Sequence, residues 1–256
     1  MLELHQIESF YPERLRPFKR NILREYLQYK ILQSIFEGKA AQKFVFMGGT
    51  AIHIVHGMGR FSEDLDFDDR GLTRKDFGLL VENIARNLAL EGLTAETDVS
   101  FKGAFSADIK ILDILFEAGL SGHKQEKILI KVDAEAQGFA YEPERVVINK
   151  FDVFCGIAVV PVSVLLAQKF YAILNRKRAM GRDFFDAIFL AGMAKPDFGY
   201  LRAKMGITDE AHLKSALLRH LKQLDFKQLA RDVEPFVFVR SDTKRIEMFQ
   251  EWVKGM

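Results

Sequence analysis

Two short strings hold the residues best suited to chemistry. In the first, Phe44, Val45 and Phe46 form an apolar run that reads as a strand, Gly48 and Gly49 read as a tight turn, and Thr50 to Val55 open a helix. That order builds a seat for phosphate, because main-chain N–H groups at a helix N-terminus are open to an anion and glycines let it approach closely. In the second string, Asp64 and Asp66 alternate with Leu65 and Phe67. On a strand both carboxylates project from one face while the apolar pair points into a core. Two carboxylates on one face suit Mg²⁺, which takes hard oxygen ligands and shares its shell with substrate phosphates. Asp68 and Asp69 lack such support and read as surface.

The flanking sequence supplies elements to position these groups. Between residues 16 and 37, Ile22, Leu23, Tyr26, Leu27, Ile31, Leu32 and Ile35 recur at helical spacing. Thr73 and Asp76 open a second helix that Gly92 ends. Residues 108–117 and 127–135 alternate as strands, the latter with Lys131, Asp133 and Glu135 on one face, and a further strand falls within 146–154. From Pro161 the pattern is helical, with loops near 178–181 and 195–200. The expected fold class is α+β: residues 1–158 form a mixed sheet with flanking helices, and residues 159–256 an all-helical lobe.

Composition narrows the function classes. At 256 residues and 48% apolar content the chain can bury a substantial core. Lys and Arg (37) nearly balance Asp and Glu (35), so any nucleic-acid surface must be local. No stretch approaches the ~20 apolar residues of a membrane span and no secretory leader is recognisable, which gives the cytoplasm as the expected compartment. The single cysteine, Cys155, sits among apolar neighbours and reads as an inert buried thiol.

The string GGTAIHIVHGMGRFSEDLDF resembles the signature of the AbiEii/AbiGii-type toxins, within the DNA polymerase β-like nucleotidyltransferase superfamily, whose pattern is Gly-Ser, a spacer, then Asp-h-Asp/Glu-h. Downstream, SVLLAQKFYAILNRKRAMGRDFFDAIFL is similar to that family's C-terminal motif, a helix carrying lysine followed by Arg and then Arg-Asp-x-x-Asp. The resemblance implies a nucleotidyltransferase-type sheet, a helical lobe, and an active site in the cleft between them. It implies a Mg²⁺- or Mn²⁺-dependent enzyme that transfers NMP from an NTP, with RNA such as tRNA as acceptor and a cognate antitoxin as a partner. In these terms Gly48, Gly49 and Thr50 seat phosphates, Thr50 standing where serine is common. Asp64 and Asp66 hold metal, Asp133 is the expected third carboxylate with Glu135 as its alternative, and Arg60 and Ser62 brace the loop or contact phosphate. Lys169 and Asp183 organise the nucleotide, and Asp186 supports Arg182 or Arg176.

Geometry constrains that assignment. On one continuous helix Lys169 and Asp183 would stand about 21 Å apart. The chain must therefore turn between them, which Gly181 and the polar run from Asn175 to Arg178 permit. Arg176, Lys177, Arg178 and Arg182 form the densest basic cluster, suited to triphosphate or a nucleic-acid backbone. His53 and His56 have metal-ligand spacing without a third ligand and read as ordinary packed or surface histidines. Two rival readings are a non-catalytic RNA- or protein-binding module on the same fold, and a nucleotidyltransferase whose acceptor is a protein or small molecule.

Overall fold

The computed structural model describes residues 1–256. Helices α1 (Leu4–Ser9) and α2 (Lys19–Phe36) lead into β1 (Phe44–Met47), α3 (Gly48–His56), β2 (Leu65–Asp69) and α4 (Arg74–Leu90). Next come β3 (Ala95–Ser100), β4 (Phe105–Ile111), α5 (Ile114–Glu117), β5 (Ile128–Glu135), β6 (Glu144–Lys150) and β7 (Val153–Val159). The remainder is helical: α6 (Val162–Asn175), α7 (Gly181–Ala191), α8 (Phe198–Met205), α9 (Glu210–Leu221), α10 (Phe226–Val233), α11 (Lys244–Glu247) and α12 (Phe249–Lys254). No helix is long and apolar enough to cross a membrane. The chain forms two compact units, the first holding residues 1–55, 61–138 and 143–159, the second holding 56–60, 139–142 and 160–256.

The first unit is a seven-stranded mixed sheet in the order β3-β4-β5-β2-β1-β7-β6. Strand β2 runs antiparallel to β1 and parallel to β5, and β1 runs parallel to β7. One face is apolar: Phe46, Phe67, Ile109, Ile130, Val132 and Ile157 are buried, and α2 and α4 pack against the strands. Alternation puts Asp66, Asp108, Lys131 and Asp133 on the opposite face. Helix α4 begins with a reciprocal capping box between Thr73 and Asp76, and Gly92 takes a left-handed φ of 83° just beyond its end.

Three sequence expectations change in detail. The strand read at 108–117 stops at Ile111; Asp113 adopts a left-handed φ of 58° and 114–117 close one helical turn. The single strand expected within 146–154 is a hairpin, β6 and β7, turning at Phe151 with φ 59°. No glycine or proline marks that turn, so its alternation reads as continuous. Strand β3 was not expected, because its AETDVS sequence is largely exposed and lacks an apolar stripe. Ion pairs from Lys110 to Asp98 and from Lys127 to Glu96 accompany it.

In the second unit, Asp197, Asp209 and Asp225 cap α8, α9 and α10 by accepting from the N–H three residues on. Its core includes Phe184, edge-on to Phe249 at 4.9 Å and to Phe226 at 5.9 Å. Helix α6 ends at Asn175 and α7 begins at Gly181, so the chain does turn between Lys169 and Asp183. A side chain at Gly181 would stand 1.9 Å from the Leu229 carbonyl oxygen, so only glycine lets α7 start this close to α10.

Candidate active site

The glycine turn and the carboxylate strand meet directly. Helix α3 starts at Gly48, two residues earlier than the sequence suggests, and Gly48 holds φ 77°. A Cβ built on Gly48 would lie 2.3 Å from Asp66 Oδ2, so the Asp66 carboxylate occupies the space that a side chain would fill. Across β2, Asp66 is in register with Met47 on one side and with Asp133 on the other. Asp133 accepts from the Ser106 hydroxyl at 2.5 Å. Glu135 lies farther along β5, is exposed, and is in register with Asp68. Lys131 pairs with Asp108 rather than with a site carboxylate.

The segment before β2 is held by side chains. Gln28 of α2, fully buried, donates to the carbonyls of Ser62 and Glu63 at 3.0 and 2.9 Å. Arg24, one turn earlier, pairs with the Glu63 carboxylate at 2.8 Å. Thr50, also fully buried, donates its hydroxyl proton to the Asp64 carbonyl. Its one proton is therefore committed to the main chain, a role different from the phosphate contact expected of it. Ser62 enters this arrangement through its carbonyl.

Asp68 is not the surface residue its sequence suggests. It is 2% exposed, pairs with Arg70 at 3.0 Å and accepts from the Gln137 N–H at 2.8 Å. Asp69 caps the turn that follows by accepting from the N–H groups of Gly71 and Leu72.

The second unit gathers the residues of the downstream motif. Lys169 Nζ lies 3.2 Å from Asp183 Oδ1 and 2.9 Å from Asp186 Oδ2. Arg60 grips Asp186 with both arms of its guanidinium, Nε to Oδ1 and Nη2 to Oδ2, each at 2.7 Å. Two cations and two anions thus balance in a site where none exceeds 8% exposure. Arg60 is a brace, since its fork is engaged by Asp186. Burial works against the Lys169 charge, but Asp186 and Asp183 outweigh it and hold its pKa above the ordinary lysine value. Burial likewise opposes the Asp186 charge, and Arg60 and Lys169 overcome it, holding the carboxyl below its usual range. Arg176, at the end of α6, reaches Asp183 Oδ2 at 2.9 Å from a half-exposed position. Lys177 and Arg178 are exposed and Arg182 is intermediate. Asp186 supports Arg60 and Lys169, not the Arg182 or Arg176 expected of it.

One polar cluster escaped the sequence reading. Glu25 on α2 is 2% exposed and pairs with His53 of α3 at 2.9 Å and with Lys150 of β6 at 2.6 Å. The Lys150 ammonium stands 3.9 Å from the Tyr11 ring centre and 5.0 Å from that of Phe151. Burial raises the Glu25 pKa, but His53 and Lys150 prevail and bring it to about 2. The available signal was a glutamate on the same helical stripe as Ile22 and Tyr29. His53 is thus a packed, paired histidine, as its spacing without a third ligand suggests.

Whether these residues fit a metal ion follows from their donor chemistry. Asp64, Asp66 and Asp133 do not form a ready-made three-carboxylate cage, since no three His, Cys, Asp or Glu side chains are gathered as a metal site. Asp66, seated over Gly48 at the start of α3 and in register with Asp133, instead offers hard oxygens beside a helix N-terminus. That suits Mg²⁺, which commonly takes one or two protein carboxylates and completes its shell with phosphate and water.

The family model described as nucleotidyl transferase AbiEii toxin, Type IV TA system, matches residues 30–249. Among solved structures the chain is similar to JHP933 from Helicobacter pylori, at 17% identity and TM-score 0.57 over 92% of each chain. It is also similar to an H. pylori protein described as a candidate nucleotidyltransferase, at 17% identity and TM-score 0.57, covering 91% of this chain and 94% of the other. At that identity the two structures show a shared fold. No curated protein matches the sequence.

Proposed function

Because the chain belongs to the AbiEii nucleotidyltransferase toxin family, we propose that it transfers NMP from an NTP to RNA, tRNA being the expected class, in a divalent-metal-dependent reaction. An acceptor hydroxyl attacks the α-phosphorus, the bond to the bridging oxygen breaks, and pyrophosphate leaves. The observation that carries this reading is the Asp66 carboxylate seated against Gly48 at the N-terminus of α3. A bound Mg²⁺ or Mn²⁺ would supply positive charge against the negative charge that develops on the phosphates in transfer. Asp66 and Asp64 would hold it, with Asp133 supporting Asp66 from the neighbouring strand. The main-chain N–H groups of Gly49 and Thr50, in the first turn of α3, would receive the nucleotide phosphates.

Lys169 is the cation assigned to the triphosphate, with Asp183 orienting its ammonium. Of the buried tetrad it keeps the most exposure, 8%, against 3% or less for its partners. Arg176, Lys177, Arg178 and Arg182 supply positive charge for nucleotide or acceptor phosphates. Membership of a toxin–antitoxin family adds an antitoxin partner to this reading. The net charge of +2 gives a protein acceptor comparable standing to RNA as an outcome of the test. Incubation with each α-labelled NTP, Mg²⁺, total RNA and a cell lysate identifies the acceptor. Label in RNA supports the proposal; label in protein alone moves the acceptor to a protein hydroxyl, and label in neither, with no pyrophosphate released, refutes the transfer.

A further inference from the structure

We propose that Gln28, together with Thr50, is a positioning residue that presents Asp64 for metal binding. The inference rests on the reading of Asp64 and Asp66 as metal ligands. On the buried side of α2, Gln28 has no exposure among Tyr26, Leu27, Tyr29 and Ile31. Burying an unpaired amide is costly, so its polar atoms need partners. Both protons of Nε2 find them, on the successive carbonyls of Ser62 and Glu63 at 3.0 and 2.9 Å. Oε1, by contrast, is buried with no hydrogen-bond partner. An apolar residue would avoid that penalty, so the donor half of the amide must justify the position.

Thr50 continues the series by donating to the next carbonyl, that of Asp64. Three consecutive peptide oxygens, of residues 62, 63 and 64, are therefore fixed by side chains of two different helices. A peptide plane pinned at its oxygen cannot rotate, and fixing three in a row sets the direction in which Asp64 leaves the chain. Arg24 adds a fourth tie by pairing with the Glu63 side chain. Partners of this kind orient the ligands of a metal, and their loss weakens binding while the ligands themselves remain. Gln28 lies ahead of residues 30–249, the part matched by the family model.

The test compares Mn²⁺ binding to the full chain, measured by electron paramagnetic resonance of the free ion, with thermal melting of the same samples. The variants are Gln28→Met, which keeps length and loses the donors, Thr50→Val, which keeps shape and loses the hydroxyl, and Thr50→Ser, which keeps the hydroxyl. Wild type is expected to bind Mn²⁺ and Asp66→Asn to lose it; failure there overturns the metal reading itself. Given wild-type binding, Gln28→Met and Thr50→Val should bind about 10- to 100-fold more weakly while melting cooperatively. Thr50→Ser should restore wild-type affinity. Folded Gln28→Met and Thr50→Val with wild-type affinity would overturn the positioning role. If only one of them folds, its affinity decides; if neither folds, both residues are structural and the proposal is overturned.

Discussion

Substituting alanine for Gly48 separates backbone strain from displacement of the Asp66 carboxylate. Gly48 and Gly92 both hold left-handed φ values, 77° and 83°. An L-residue in that region costs about 1–2 kcal/mol. In a chain of this size that lowers Tm by roughly 2–8 °C. A Cβ at Gly92 would meet nothing within 4 Å, so Gly92→Ala should show this loss and nothing more. At Gly48 the new Cβ would stand 2.3 Å from Asp66 Oδ2 and 2.9 Å from its Cβ and Cγ. Ordinary carbon–oxygen contact needs about 1 Å more, and a misplacement of ~1 Å in catalytic geometry can cost on the order of 10²-fold in rate. Gly48→Ala should therefore melt within a few degrees of Gly92→Ala while NMP transfer, measured with labelled NTP, falls about 100-fold. Equal transfer rates in the two folded variants would refute the view that Gly48 exists to seat Asp66.

Lys169→Ala should destabilise the chain by about 3–5 kcal/mol in urea, because it leaves Asp183 and Asp186 buried with one cation fewer. A loss below about 1 kcal/mol would mark Lys169 as a side chain that contributes little to the fold and would contradict the buried pairing. The Glu25 cluster predicts a pH dependence. Its folded pKa of about 2 lies below the ordinary 4.5, so the stability it contributes is present above pH 4.5 and lost as pH falls toward 2. The shift corresponds to a pH-dependent contribution on the order of 3 kcal/mol to wild type that Glu25→Gln, which does not titrate, lacks. Denaturation curves of the two proteins should converge between pH 4.5 and 2; a gap unchanged by pH would contradict the charged pairing.

The sheet was legible where burial follows alternation. Leu65 and Phe67 are buried and Asp66 is not, as a period-two strand requires, and Thr73, Asp76 and Gly92 mark the ends of α4 by capping chemistry. The break between α6 and α7 was legible because Lys169 and Asp183 could not otherwise meet. Charge pairing was less visible. Asp68 looked solvated because its partners, Arg70 and the Gln137 N–H, depend on how β2 and β5 align. The full pairing of Lys169 was not visible because its second carboxylate, Asp186, and the opposing Arg60 converge only in the folded unit. Thr50 carried a hydroxyl suited to phosphate, and only the chain path shows that the Asp64 carbonyl takes its proton.

The most direct test of the central claim is the transfer activity of Asp66→Asn, a change that preserves shape and removes the charge seated against Gly48. Wild type, given α-labelled NTP, Mg²⁺ and total RNA, should label RNA, and chelation of the metal should stop it. Asp66→Asn, with a cooperative melt near that of wild type, should transfer nothing measurable. Transfer by the folded variant at the wild-type rate would contradict the assignment of metal and nucleotide chemistry to the β2 carboxylates.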